Sequence, residues 1–157
     1  MKTHIHHVHL NISNAKDSLP FYESLLKYLG YRIIDKSPKH IGASNGTTDL
    51  WVVQSEGKDQ ANSFQAKGTG LNHIAFRVSK HKEVLDFDRE FLKKWKIVNL
   101  YNSPRVFPLY HKGYFSVYFE GPDKVELEVF YIPHFKDRPK KIKKGGLLAQ
   151  TALPRLF

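Results

Sequence analysis

At 157 residues, 41% hydrophobic and 13% aromatic, the chain can bury a core and is too apolar to be disordered. It contains no cysteine, which excludes disulfides, thiolate zinc sites and a thiol nucleophile. The net charge of +10 points toward an anionic partner, but its distribution weakens that reading: Lys136, Arg138, Lys140, Lys141, Lys143, Lys144 and Arg155, against Asp137 alone, put most of the excess in residues 134–157. A basic tail with no helix-turn-helix, zinc-finger or aromatic RNA-binding signature argues against a nucleic-acid reader. The N-terminus lacks a signal-peptide pattern, and nowhere do about 18 apolar residues run together. A cytoplasmic protein without a membrane partner is the expectation.

In chain order, Val8, Leu10 and Ile12 alternate with His7, His9 and Asn11, the period-two pattern of a half-buried strand. Ser13 and Asn14 supply helix caps, and Leu19, Tyr22, Leu25, Leu26 and Leu29 then follow helical spacing until Gly30 ends the run. Strands are predicted at Tyr31–Ile34 and Asp49–Gln54, with an ill-defined segment around Ile41 between them. Residues 55–70 are polar and glycine-containing and read as a linker. The plan then recurs: a strand Ile74–Val78, a helix over about Lys80–Lys94, and strands at Ile97–Tyr101, Tyr114–Phe119 and Val125–Tyr131, the last two joined at Gly121-Pro122-Asp123. After Pro133 the alternation stops.

The recurrence extends to the residues. His6-His7-Val8-His9-Leu10-Asn11-Ile12-Ser13 aligns without gaps on Asn72-His73-Ile74-Ala75-Phe76-Arg77-Val78-Ser79, and the register carries Leu25 onto Phe91 and Leu26 onto Leu92. One βαβββ unit is used twice. The apolar strand faces can pack on the helices, which leaves His7, His9 and Asn11, and His73, Ala75 and Arg77, on the opposite faces.

These motifs, with Pro122-Asp123 separated by four residues from Glu128 on the final strand, resemble the vicinal oxygen chelate superfamily over about residues 4 to 132. Its members include glyoxalase I, fosfomycin- and bleomycin-resistance proteins, methylmalonyl-CoA epimerase and extradiol dioxygenases. The superfamily hairpin reads Asp-Pro-Asp-Gly; here Gly121 and Lys124 stand at its first and fourth positions. The resemblance implies an α+β fold of two tandem βαβββ modules, about 4–56 and 70–132, forming a shared curved-sheet cavity in one domain, 1–133, followed by the tail 134–157.

The resemblance carries the ligands of one divalent metal ion onto His7, His73 and Glu128. Iron, manganese, nickel and zinc all accept two imidazoles and a carboxylate, so the ion's identity stays open. Glu126 shares a strand face with Glu128 and is the supporting or substitute carboxylate. Glyoxalase I and the epimerase commonly add a Glu or Gln ligand from the last strand of the first module. Trp51 stands at that position in the preferred register, and a shifted register would bring in Asp49 or Gln54.

His111, Tyr118 and Glu128 resemble the extradiol signature, in which the histidine assists proton transfer and the tyrosine bonds the substrate. Leu109, Gly121 and Lys124 depart from that pattern. Asn11, Trp51 and Arg77 are the expected substrate-binding residues. Arg77, Arg105 and Lys112 do not compose a dense phosphonate pocket. The implied function is metal-dependent glyoxalase-like chemistry, lyase, isomerase or dioxygenase, on a small molecule that chelates the metal through neighbouring oxygens. The competing class is a metal-free ligand-binding protein of the bleomycin-binding type. A homodimer is expected from the resemblance.

Overall fold

The computed structural model describes residues 1–61 and 68–133, so the tail 134–157 and part of the expected linker lie outside the described residues. Each half of the described chain runs βαβββ. The first comprises β1 (His7–Ile12), α1 (Ala15–Tyr28), β2 (Arg32–Lys36), β3 (His40–Ser44) and β4 (Asp49–Gln54). The second comprises β5 (His73–Val78), α2 (His81–Phe87), β6 (Asn99–Val106), β7 (Phe115–Glu120) and β8 (Glu126–Tyr131). The chain divides into two compact units along this line, with one exchange: the turn Gly121–Val125, between β7 and β8, belongs to the first unit.

In the first unit the strand order is β1-β4-β3-β2, with β1 and β4 parallel and the other pairs antiparallel. Leu10, Ile12, Leu50, Val52, Ile41 and Ala43 are buried, as are Leu19, Tyr22, Leu25 and Leu26 on α1, which packs on β2, β3 and β4. The expected segment around Ile41 is β3. Its sequence His-Ile-Gly-Ala-Ser shows weak hydrophobic alternation, because two of its buried positions are Gly42 and Ala43.

The start of α1 is heavily capped. Asn14 Oδ1 accepts from Lys16 N at 3.0 Å, and Gln54 Oε1 accepts from Ala15 N at 2.8 Å. Asp123 accepts from Ser13 N at 3.1 Å and from the Ser13 hydroxyl, while its other oxygen accepts from Ser18 Oγ at 3.1 Å. A carboxylate at a helix N-terminus satisfies donors that have no partner inside the helix and meets the positive end of its dipole. This explains why the turn containing Asp123 groups with the first unit.

The second unit repeats the order, β5-β8-β7-β6, with β5 and β8 parallel. Phe76, Leu127, Val129, Val117 and Phe119 are buried, as are Val84 and Phe87 of α2. The expected long helix instead changes after Phe87 into a π-helical turn, Asp88–Leu92. That wider turn still buries both Phe91 and Leu92, the residues aligned with Leu25 and Leu26, and the Phe91 ring stacks on Phe87 at 5.1 Å. β6 starts later and runs longer than its apolar residues suggest. Its ladder with β7 is irregular between Leu100 and Arg105, where Tyr101 and Asn102 take left-handed φ of 56° and 53°. Ser103 Oγ compensates by accepting from Tyr118 N at 2.9 Å and donating to Leu100 O at 2.7 Å.

Candidate metal centre

On the second sheet, the face not covered by α2 gathers the polar chemistry of this unit. The ladder pairs His73 with Glu126, Ala75 with Glu128, and Glu128 in turn with Tyr118, so these side chains share a face. Glu128 is 1% exposed and Glu126 7%, and buried carboxylates require partners. Glu128 Oε1 accepts from Tyr114 Oη at 2.7 Å and from Ser116 Oγ at 2.6 Å, and the Tyr118 hydroxyl also hydrogen-bonds this carboxylate. Glu126 accepts from Tyr101 Oη at 2.7 Å. Burial foremost, reinforced by the neighbouring carboxylates, pushes the hydroxyls of Tyr101, Tyr114 and Tyr118 far up, so they act as neutral donors.

The remaining oxygen of Glu128 faces His73. Glu128 Oε2 lies 3.2 Å from His73 Nε2, while His73 Nδ1–H donates to Asn72 Oδ1 at 2.6 Å. An amide oxygen can only accept, so the Asn72 contact fixes a proton on Nδ1. In neutral His73 the Nε2 lone pair would then point at a carboxylate lone pair. A proton shared between the two groups relieves this, and a metal cation can take the proton's place. The hydrogen bond to Glu128 is the main reason that the His73 pKa is raised above its ordinary value, outweighing partial burial. The chemistry of this donor pair therefore suits a cation: an oriented imidazole nitrogen and a pre-formed carboxylate, each held by an outer partner.

The first sheet presents a different face. β1 pairs with β4 in the register His7–Asp49, His9–Trp51 and Asn11–Val53. Set against His73–Glu126 and Ala75–Glu128, this places Asp49 at the position of Glu126 and Trp51 at that of Glu128. Indole cannot ligate a metal, so this copy lacks the equivalent of the Glu128 carboxylate. His7 is exposed, its Nδ1 3.2 Å from His6 Nδ1 and its ring 5.8 Å from that of His9.

Among the described residues, no group of three or more His, Asp or Glu side chains is gathered to hold a metal ion. What the structure brings together is His73, Glu128 and Tyr118, the His73 and Tyr118 rings lying 5.9 Å apart. His111 lies in the loop before β7, where Nδ1 bonds the Lys112 carbonyl at 2.8 Å. Arg77 is exposed on β5, with Nη2 3.5 Å from the Ile132 carbonyl, and lines a shallow depression of about 380 Å³ with Val78 and Ser79. Asn11 is exposed on β1. Sequence reasoning missed Asn72, Tyr101, Tyr114 and Ser116. The alternation Tyr114-x-Ser116-x-Tyr118 was a usable signal, since it puts the three hydroxyls on one strand face.

Two βαβββ units with this strand order define the class of fold, and comparison with known proteins gives the family. Residues 4–129 match the Glyoxalase/Bleomycin resistance protein/Dioxygenase superfamily, and the chain belongs to it. The Bacillus subtilis (strain 168) protein YqjT is 27% identical over 125 residues, spanning 80% of this chain and 96% of its own. The crystal structure of a provisionally assigned glyoxalase from Bacillus halodurans aligns with a TM-score of 0.75 at 28% identity, covering 83% of this chain and 97% of that one. Lactoylglutathione lyase from Agrobacterium tumefaciens aligns with a TM-score of 0.58 at 18% identity, covering 83% of this chain and 94% of its own, a likeness of fold. Members of this superfamily commonly use a metal. No helix among the described residues is long and apolar enough to cross a membrane.

Proposed function

We propose that this protein is a divalent-metal-dependent enzyme of the glyoxalase type, acting on a small substrate that chelates the metal through neighbouring oxygens. The ligands are His7, His73 and Glu128, and the chemistry is that of a lyase or isomerase, or of an extradiol-type dioxygenase. The observation that supports this reading is the His73 Nε2–Glu128 Oε2 distance of 3.2 Å, with both groups oriented from behind, an arrangement in which a metal cation can replace the proton on Nε2. His7 enters as the repeat equivalent of His73. A nitrogen and oxygen donor set without sulfur suits iron, manganese, nickel or zinc.

A divalent ion held there would supply positive charge for an oxyanion developing on the substrate. The chain's own residues supply the rest. Asn72 keeps the His73 proton on Nδ1 and so keeps Nε2 available. Tyr114 and Ser116 fix one Glu128 oxygen and direct the other forward. Tyr118, with its hydroxyl held neutral and its ring beside His73, is the first candidate for proton transfer, and His111 is the second. Asn11, Trp51 and Arg77 are assigned to substrate binding.

Elemental analysis of untagged protein, beside His73→Ala and Glu128→Ala, tests the reading. Near-stoichiometric metal in the wild type and its loss from both variants is the expected result. Iron would direct assays to ring-cleaving oxygenation, nickel or zinc to lyase chemistry. Failure to retain any divalent ion after incubation with each would overturn the enzyme reading in favour of a metal-free binding protein.

A further inference from the structure

On the face of the first sheet that α1 does not cover, a tryptophan lies flat on the backbone. β4 sits between β1 and β3, and Trp51 pairs with His9 on one side and Gly42 on the other. A Cβ at position 42 would meet Cζ3, Cη2 and Cε3 of Trp51 at 2.7, 2.8 and 2.9 Å. These atoms are consecutive around the six-membered ring. Had the ring met this point edge-on, the neighbours of the nearest atom would be markedly farther away, so the near-equal distances mean that it presents its face. Gly42 therefore lets the indole rest where any side chain would push it off the strand, the close approach that a glycine inside a strand often marks. The opposite face of the ring looks away from the sheet, and the residue is only partly buried.

The ring is also bounded. The His9 imidazole lies 5.9 Å away at a 33° tilt, and that of His40 lies 6.2 Å away at 47°. His40 is locked from both nitrogens, Nδ1 to Ser37 Oγ at 2.8 Å and Nε2 to Asp35 Oδ2 at 2.7 Å. The core does not require this arrangement, since Leu50, Val52, Ile41 and Ala43 are buried independently of it.

The geometry points to Trp51 as a stacking platform for a planar aromatic ring of a small-molecule ligand, flanked by His9 and His40. It rests on the reading that this face binds substrate, and it adds the class: ring-bearing rather than aliphatic. An indole fixed face-up offers an offset-stacking surface to a planar aromatic ring, which a saturated ring meets only through weaker C–H contacts. A nitrogen of the His9 imidazole can bond an oxygen on the rim of such a ring, while His40, held through both of its own nitrogens, walls the other side.

The test uses full-length protein stripped of metal, so that its outcome is separate from that of the metal reading. Trp95→Phe leaves Trp51 as the sole tryptophan, since the chain has 2. Its indole N–H resonance is followed during titration with 4-nitrophenol, and with cyclohexanol as the saturated counterpart. A saturable upfield shift with 4-nitrophenol alone is expected. Gly42→Val, which displaces the indole, and Trp51→Leu should each weaken 4-nitrophenol binding about 3- to 10-fold, read from the ligand's own resonances in protein shown to be folded by thermal unfolding. If Gly42→Val does not fold, Trp51→Leu decides. An absent shift, an equal response to cyclohexanol, or unchanged binding in Trp51→Leu would overturn the platform. A normal shift in a protein that fails to bind metal would overturn the metal site alone.

Discussion

In the second unit, His73 faces a buried carboxylate held by the hydroxyls of Tyr114, Ser116 and Tyr118; in the first, His7 is exposed beside His6, and Trp51 stands where the repeat would put Glu128. The backbone plan is the same in both, with a parallel outer pair, a helix behind it and a matching register. What differs is the residue on the strand next to the histidine. A carboxylate there demands a shell of donors because burying it unpaired is costly. An indole demands none, and glycine on the next strand lets it lie flat. Duplication thus supplies two scaffolds, while single positions decide that one offers charge and the other an aromatic surface.

The largest expected effect breaks this difference at its source. Glu128→Ala leaves the hydroxyls and His73 facing a buried hole and should destabilise the protein by about 3–5 kcal/mol in urea unfolding. Trp51→Leu, at the matching position, should change stability by roughly 1 kcal/mol or less. Equal losses would remove the contrast. Asp123→Ala probes the one segment exchanged between the units. Stripping Ser13 and Ser18 of their acceptor at the start of α1 should cost about 1–2 kcal/mol, measured the same way. Asn72→Ala releases the Nδ1 side of His73 and should weaken metal binding about 10-fold while barely altering stability.

The smallest effect is a pH dependence in metal-free protein. Because the folded-state pKa of His73 is raised, its pairing with Glu128 contributes fully below the ordinary histidine value of about 6.5. That contribution is lost as pH rises through the raised value, so stability from this pair falls with increasing pH across that window. Unfolding curves at a series of pH values should show this component in the wild type and a flattened one in Glu128→Gln.

Most of the scaffold was legible because period-two strands and a recurring histidine register survive in the residues. The strands β1, β4, β5 and β8 and the helix α1 follow from apolar spacing alone. β3 was obscured by Gly42 and Ala43, whose side chains are too small to write an alternation. The irregular course of β6 depends on Ser103 replacing ladder hydrogen bonds, which no local pattern announces. At the candidate site, His73, Glu128 and Tyr118 were reached through the family resemblance of the motifs around them. Tyr114 and Ser116 share an alternation with Tyr118, but nothing local says that it meets Glu128 across a strand pair, and Tyr101 reaches Glu126 from an irregular strand. Hydrogen bonds between distant positions leave no spacing to read.

The most direct test of the central claim, that the second copy carries the cation-holding pair, is calorimetric titration of EDTA-treated protein with zinc. Glu128→Gln is titrated in parallel, since it keeps the shape of the side chain while removing its charge. The account predicts one site per chain in the wild type and at least about 100-fold weaker binding in the variant. Undiminished affinity in Glu128→Gln, or no binding by the wild type, would contradict it.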